Sequence, residues 1–291
     1  MIEEDHLRLN TKLSEFFPDI PNAEKITIEQ LLRHKSGLYN FTSSRDYPRW
    51  MEQPRTKKEL MRIFIENGTV FEPGKKSVYS NTNYVLLSWI AEEIDEKPFC
   101  EILKSRIIIP CHLKNTYYGG KINPAEHEAL SYKKYSTWVE ATETDMSIPA
   151  GAGGIVSNPT DLNIFYNNLF SGKLVSTASL QKMTETEEGF GIGMFRLFDS
   201  KAYGHTGGID GFQATVAFFP EDSIFLTYLT NGVVMPKADI TRSVLKILNN
   251  EEFELPQFKT GIKLTAQDIK PYLGVYGCTT NPLKITVSQF N

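Results

Sequence analysis

Cysteine is scarce in this sequence, and so are the patterns that hold metals. The 291 residues include only three cysteines, Cys100, Cys111 and Cys278. None belongs to a Cys-x-x-Cys pair or another zinc-type spacing, and an odd, low count argues against a disulfide framework. The cysteines therefore give no sign of a zinc site, and nothing else in the sequence implies a metal or a cofactor. The pattern leaves the disulfide state of the three cysteines open.

Long apolar runs and strong charge are also missing. No stretch of the chain reaches the apolar length that a membrane helix requires, and the acidic start, residues 1–5, does not have the basic and apolar pattern of a signal peptide. The net charge is −4, and the few lysine pairs are short and scattered. We expect no nucleic-acid partner and no membrane span in this chain, and its localisation is left open.

The order of the predicted elements indicates an α+β fold. Hydrophobic residues make up 41%, which is ordinary for a globular domain. Capping residues and 3.6-residue periodicity predict helices, and alternation predicts strands. The predicted helices follow Thr27, Thr56 and Ser176 and cover about 82–95, 99–109, 158–171 and 236–248; the predicted strands cover 191–197, 212–219, 224–230, 272–277 and 283–287, and residues 151–154 are predicted to be a glycine loop. We predict an antiparallel sheet flanked by helices, with a mostly helical subdomain.

The segment Tyr79-Ser80-Asn81 is the first candidate for chemistry. It lies between a Pro-Gly turn and a predicted buried helix. A phenol can take or give a proton, and an amide can hold a substrate carbonyl. A surface turn with a packed tyrosine explains the same three residues, so this motif alone decides nothing.

The segment Gly204-His205-Thr206-Gly207-Gly208 is the second candidate. Histidine is a donor that switches near neutral pH, and glycines allow a substrate to approach the backbone, where a peptide N–H can stabilise an oxyanion. A glycine-rich turn with a satisfied histidine is the alternative reading of this motif.

Together and in this order, the two segments resemble the second and third motifs of the penicillin-binding-protein and class C β-lactamase superfamily. Two further stretches strengthen the resemblance, which covers roughly residues 7–250. They are residues 26–38, with Leu31-Leu32-x-His34-x-Ser36-Gly37, and residues 153–162, with Gly153-Gly154-Ile155-Val156-Ser157. The chain is also similar to the esterase and D-amino-acid peptidase members, in which histidine replaces the lysine of the third motif.

The resemblance implies a role for each matched residue. Tyr79 would be the general base and acid, Asn81 would hold the amide of the acyl side chain, and His205 would face the carboxylate or leaving group. The Gly208 N–H would be half of the oxyanion hole, on a substrate strand that includes Thr206 and Gly207. Gly153 and Gly154 would belong to a loop at the cleft. The family is usually exported, and its substrates are small molecules or peptides.

One motif of the family is not found in its expected place. Ser-x-x-Lys should open a helix upstream of the acidic residues 3–9, so we expect a chain without its nucleophile serine, its lysine and the first strands of the sheet. Three other Ser-x-x-Lys matches, at Ser131, Ser179 and Ser243, are interpreted as coincidence. No Gly-x-Ser-x-Gly is present either.

These observations predict an incomplete hydrolase domain at 1–250, a linker at 251–265 and the start of a truncated β domain at 266–291. Two readings stay open. The chain is a truncated serine hydrolase, inactive as given, or it is a pseudoenzyme that binds cell-wall peptides or a protein through the retained cleft.

Overall fold

The computed structural model describes residues 1–255, 264–277 and 284–288. The chain divides into two compact units, Met1–Lys237 and Ala238–Asn291. Half of the predicted linker, residues 256–263, lies outside the described residues, and so does Cys278. The predicted domain limits at 250 and 265 stay predictions.

The first unit, all of whose residues are described, contains nine α-helices. They are α1 (Ile28–Leu32), α2 (Tyr47–Trp50), α3 (Lys57–Asn67), α4 (Asn81–Asp95), α5 (Phe99–Leu103), α6 (Ile109–Cys111), α7 (Ala150–Gly153), α8 (Pro159–Phe170) and α9 (Thr177–Thr184). A π-helical turn, Lys104–Ile108, joins α5 to α6, and short 3-10 turns lie at Leu13–Glu15, Phe41–Ser43 and Pro124–Glu126.

Local capping determines where most of these helices begin. Thr27 and Thr56 accept backbone N–H groups at the starts of α1 and α3 and form capping boxes with Gln30 and Glu59. Asn158 caps α8 and Ser176 caps α9 in the same way, through a side-chain oxygen. A side chain that accepts an otherwise unsatisfied N–H contributes about 1 kcal/mol to a helix start. These four helix starts confirm the prediction.

The largest part of the core lies among α1, α3 and α4. Phe41, Phe64, Leu86 and Ile90 are at most 1% exposed there. A fully buried side chain of this size contributes roughly 1.5–3 kcal/mol. The periodic apolar residues of α4 therefore anchor this helix firmly, and the chain that enters α4 carries Tyr79, Ser80 and Asn81.

Strands of the first unit form three antiparallel or mixed sheets. The largest has the order β5 (Phe195–Leu197), β6 (Ala202–Ile209), β7 (Phe212–Phe219) and β8 (Ile224–Thr230), all antiparallel. A second sheet joins β3 (Trp138–Glu140), β2 (Tyr132–Lys134) and β9 (Gly232–Val233), and β1 (Tyr117–Tyr118) pairs with β4 (Ile155–Val156). The register places Gly207 opposite Ala214 and Gly208 opposite Gln213.

The described residues of the second unit include two α-helices and a hairpin. Helix α10 (Lys237–Leu248) begins at the last residue of the first unit, and α11 (Ala266–Ile269) continues into a 3-10 turn at Lys270–Tyr272. Strands β10 (Gly274–Gly277) and β11 (Lys284–Val287) pair antiparallel, with Tyr276 opposite Ile285. The predicted helix at 236–248 and the predicted strand pair are confirmed.

The fold class is α+β with antiparallel sheets, as predicted. Three local predictions were wrong. Residues 150–153 form α7 and not a loop, because the glycines allow this turn to lie against α4, where the Gly151 N–H donates to Ser88 Oγ at 3.1 Å. The helical stretch after Phe99 passes through Pro110 by means of the π turn. Only residues 195–197 of the first predicted strand are extended.

Within the described ranges, no helix combines the length and the apolar character that crossing a bilayer requires.

Candidate active site

The first motif lies at the start of α4, and its two polar side chains contact each other. The Tyr79 hydroxyl donates to Asn81 Oδ1 at 3.1 Å. The Asn81 amide nitrogen donates to Thr42 Oγ1 at 3.0 Å, and its backbone N–H donates to Asn40 Oδ1 at 2.9 Å. Asn81 is therefore held on both sides, with its carbonyl oxygen turned towards the phenol.

The second motif lies inside strand β6. The neighbouring strand β5 pairs only with Ala202, Tyr203 and Gly204, so its ladder ends before His205. In an antiparallel ladder, alternate residues direct their N–H groups to opposite edges. Thr206 and Gly208 therefore share the edge that Gly204 presents to β5. Beyond the end of β5, this edge of β6 is suited to pairing with an extended substrate.

His205 has a defined tautomer. Its Nδ1 lies 2.5 Å from the Thr206 carbonyl oxygen. Because a carbonyl oxygen only accepts hydrogen bonds, Nδ1 must carry the proton. In the neutral ring, Nε2 then has the lone pair and can accept a proton.

The fold brings the two motifs together. The ring centroids of Tyr79 and His205 are 6.2 Å apart. Phe195 stacks on His205 at 4.4 Å and lies 6.0 Å from Tyr79. Residues 79 and 205 are far apart in sequence, so their proximity is a property of the fold. The sequence-predicted residues Tyr79, Asn81 and His205 therefore form one cluster.

Burial keeps both titratable groups of this cluster uncharged at neutral pH. It raises the pKa of the Tyr79 phenol, although the side chain is still 37% exposed. It also lowers the pKa of His205, an effect that the charge of Lys237 increases and the hydrogen bond to Thr206 opposes. A phenol of raised pKa is a poor base unless a cation approaches it.

Sequence reasoning missed several residues that contact this cluster. The sequence places His34 only within a family stretch, but its ring lies 4.5 Å from the Tyr79 ring. Asn40 and Thr42 hold Asn81, as described above. The Lys237 ammonium group donates to the Ala214 carbonyl at 3.1 Å and lies 3.4 Å from the Gly207 carbonyl. Asn40 and Thr42 are polar residues that closely follow the family stretch 26–38, and this could have marked them as candidates for the site. Nothing in the sequence connects Lys237 with β6.

The predicted cleft loop has different neighbours. A side chain at Gly154 would meet the Tyr118 ring, and the Gly154 carbonyl accepts the Gly119 N–H at 2.8 Å. A side chain at Gly153 would meet Pro149. These contacts lie beside β1 and β4, and a role for Gly153 and Gly154 in the cleft stays a prediction.

The three Ser-x-x-Lys pairs are engaged elsewhere. Ser131 is buried and its Oγ accepts the Gly211 N–H, whereas Lys134 packs over Trp138. Ser179 is in α9, next to the capping Ser176. Ser243 belongs to the second unit, where its hydroxyl donates to the Asp239 carbonyl. These positions agree with the interpretation of the pairs as coincidence.

Residues 1–249 match the Beta-lactamase family. The chain belongs to this family. Its site has the motif order of the branch related to penicillin-binding proteins and class C β-lactamases, in which serine hydrolases are found.

Two solved structures and two curated proteins show what this family member is similar to. D-amino acid amidase from Ochrobactrum anthropi SV3 has a TM-score of 0.75 and 26% identity, covering 86% of this chain and 79% of that one. D-stereospecific amidohydrolase from Streptomyces sp. has a TM-score of 0.69 and 25% identity, covering 79% and 76%. Teichoic acid D-alanine hydrolase of Staphylococcus aureus (strain MRSA252) is 26% identical over 177 residues.

The second curated relative is PbpX of Bacillus subtilis (strain 168), which is 24% identical over 251 residues. The chain spans 62% of the length of PbpX and 43% of the length of the teichoic acid hydrolase. Among the described residues, no group of three or more histidine, cysteine, aspartate or glutamate side chains could hold a metal ion.

We predict that His34 makes the stability of the first unit depend on pH. Burial, aided by the nearby His205, lowers the pKa of His34 to about 4, whereas unfolded histidine titrates near 6.5. As pH falls below 6.5, the unfolded chain therefore gains a proton that the native state does not bind. The free energy of unfolding should fall by about 1–2 kcal/mol between pH 6.5 and 5.

Urea unfolding of the wild type and of His34→Asn at pH 7.5, 6.5 and 5 measures this contribution. The variant should lose less stability than the wild type over the same range, since asparagine does not titrate. The rings of Tyr79 and Tyr84 pack on His34, and the charge of His205 also acts on it; burial raises the pKa of both phenols and lowers the pKa of His205. An equal loss in both proteins would contradict the assignment.

Proposed function

We propose that this chain supplies the substrate cleft of a β-lactamase-like serine hydrolase that acts on D-amino-acid amides, esters or peptides. The observation that supports this most is the convergence of the Tyr79 phenol, the Asn81 amide and His205 beside strand β6. In such a cleft, the phenol shuttles a proton, the amide holds the acyl group, and Gly208 donates its N–H to the oxyanion.

The character of the cluster favours amides and esters over β-lactams as substrates. A neutral His205 does not offer the permanent charge with which a lysine would hold a carboxylate. Lys237 is the nearby cation, and its ammonium group donates to carbonyl and amide oxygens of β6 and β7. The similarity to D-amino acid amidase and to teichoic acid D-alanine hydrolase points to the same substrate class.

We also propose that residues 1–291 do not form an acyl-enzyme by themselves. The hydroxyls of two serines near the first motif are engaged in the fold: Ser80 donates to the Tyr39 carbonyl, and Ser36 donates to Asn83 Oδ1. The acyl-serine reaction needs a serine whose proton Tyr79 can remove and a cation that lowers the pKa of the phenol. Neither Ser36 nor Ser80 belongs to a Ser-x-x-Lys pair.

The test compares residues 1–291 with an extended form, which adds the in-frame residues encoded upstream of Met1 as far as the next start codon. Both are treated with a fluorescent penicillin and a fluorophosphonate. We expect labelling of the extended form alone, and its loss when the serine of an upstream Ser-x-x-Lys is changed to alanine. Hydrolysis of D- but not L-phenylalanine amide by the extended form would support the substrate class.

Two other outcomes of the labelling test would contradict these proposals. Labelling of residues 1–291 on any serine would contradict the proposal that they are inactive alone. If both forms fold and neither is labelled, the hydrolase proposal fails. The cleft would then belong to a protein that binds such peptides without hydrolysing them.

A further inference from the structure

His34 is a buried histidine with an uncommon backbone conformation, and its ring packs against the ring of Tyr79. It follows α1, is 2% exposed and has a φ of 56°, in the left-handed region. Its ring lies 4.5 Å from the Tyr79 ring at an angle of 39°. Outside glycine, this backbone region is uncommon and costs energy unless the surroundings compensate for it. A specific role at this position would explain why it is tolerated.

Both neighbours of Tyr79 in the chain donate hydrogen bonds to His34. The His34 carbonyl oxygen accepts the Val78 N–H at 2.9 Å. Its ring Nδ1 accepts the Ser80 N–H at 3.1 Å. Residues 78 and 80 are thus fixed to the same residue on which the Tyr79 ring packs. The orientation of the phenol is set by three contacts to His34.

A second donor constrains the tautomer of this ring. Asn83 Oδ1 accepts the Ser36 hydroxyl at 2.6 Å, which turns the Asn83 amide nitrogen towards His34 Nδ1, 3.4 Å away. Asn83 and Ser36 are both buried. With a backbone N–H and an amide N–H directed at it, Nδ1 must be unprotonated, so the ring proton lies on Nε2. His205 has the opposite tautomer.

We propose that His34 is a positioning residue that orients the Tyr79 phenol by acting as a neutral hydrogen-bond acceptor for the Ser80 N–H. The inference rests on the proposed function only for its consequence in catalysis, because the contact itself is independent of the reaction. His34 does not move the substrate's proton, since its Nδ1 already accepts the Ser80 N–H and the residue is buried. If His34 only packed against Tyr79, its ring would be needed but the acceptor atom Nδ1 would not.

Two substitutions separate the acceptor from the ring. His34→Asn keeps an acceptor at the distance of Nδ1, and asparagine tolerates a positive φ. His34→Phe keeps a ring and removes the acceptor. His112 is the matched control, because it also has a positive φ (55°) but is exposed, so the same two changes there test the substitution itself.

The first measurements use residues 1–291 and are independent of activity. In wild-type protein labelled with ¹⁵N-histidine, we expect Nδ1 of His34 to have the shift of an unprotonated ring nitrogen. Hydrogen exchange of the Ser80 amide should be slow in the wild type and in His34→Asn, and at least tenfold faster in His34→Phe. A protonated Nδ1, or slow Ser80 exchange in His34→Phe, would overturn the proposal. If His34→Phe does not fold, two measurements still test the proposal. They are the ¹⁵N shift of Nδ1 in the wild type and the exchange rate of the Ser80 amide in His34→Asn, and a protonated Nδ1 or fast Ser80 exchange would overturn the proposal.

The extended form then separates this proposal from the proposed function. Fluorophosphonate labelling should slow at least tenfold in His34→Phe and recover in His34→Asn. If the exchange pattern is found but the wild-type extended form is not labelled, the contact stands and the hydrolase function fails. If His34→Phe loses Ser80 protection yet is labelled at the wild-type rate, the hydrolase function stands and the positioning role is wrong.

Discussion

Replacing Tyr79 with phenylalanine in the extended form is expected to slow fluorophosphonate labelling by about 10²–10⁴-fold, the usual contribution of a positioned general base. The substitution removes one oxygen and keeps the ring that packs on His34 and lies near Phe195. The hydroxyl's hydrogen bond to Asn81 Oδ1 is also lost, but Asn81 keeps its bonds to Asn40 and Thr42. The effect should therefore be chemical, with little loss of stability.

Tyr135→Phe is the matched control for this prediction. Tyr135 is 69% exposed, in the turn between β2 and β3, and the same oxygen is removed there. We expect wild-type labelling and an unchanged unfolding midpoint for this variant. Wild-type labelling by Tyr79→Phe would show that another group takes the proton of the serine. A slow reaction together with a large loss of stability would point to a structural role of the hydroxyl.

The parts of the site that are local in sequence were predictable. Tyr79 and Asn81 lie at the start of a periodic apolar helix, so their position follows from the packing of α4. Strand β6, which carries His205 and the glycines, was not among the strands predicted from alternation; only the family resemblance implied a strand here, and a short turn joins β6 to its partner β7. Short connections of this kind are what sequence patterns describe well. The family motifs then predict that the Tyr79 segment and the His205 segment belong to one site. Hydrophobic periodicity could not have shown this.

Contacts between distant segments could not be predicted. Ser80 and His34 are 46 residues apart, and the hydrogen bond between them depends on the angle at which α1 meets α4. Lys237 reaches Ala214 and Gly207 only because of where α10 begins. The glycines of α7 favoured a loop on propensity, and close packing on α4 overrode that preference. Tertiary packing decided each of these cases.

Replacing Gly37 with alanine is expected to destabilise the first unit by about 3 kcal/mol or more. Gly37 has a φ of 79°, and a Cβ there would lie 2.1 Å from the Phe71 carbonyl oxygen, a backbone atom that no rotamer change can move away. The left-handed backbone costs an alanine about 1–2 kcal/mol, and a buried overlap costs about 1–3 kcal/mol. Such a loss is a large share of the stability of a domain, about 5–15 kcal/mol.

The position of Gly37 explains why the cleft should be affected as well. Its carbonyl accepts the Val70 N–H at 2.8 Å, and the nearby Tyr39 carbonyl accepts the hydroxyls of Ser80 and Thr82. Moving the chain at Gly37 to relieve the overlap would therefore move an anchor of the Tyr79 segment. We expect faster exchange of the Ser80 amide in whatever fraction of Gly37→Ala folds.

Two further glycines separate strain from overlap in the same measurement. Gly189 also has a positive φ, 84°, but nothing lies within 4 Å of an added Cβ, so Gly189→Ala should cost about 1–2 kcal/mol from the backbone alone. Gly120 has neither constraint, and Gly120→Ala should change stability by no more than about 0.5 kcal/mol. Urea unfolding should rank the variants Gly37, Gly189, Gly120 in order of decreasing loss. If Gly37→Ala and Gly189→Ala lose the same free energy of unfolding, the backbone at Phe71 must move to make room for the added methyl group. The close approach of Gly37 to Phe71 would then not constrain the cleft.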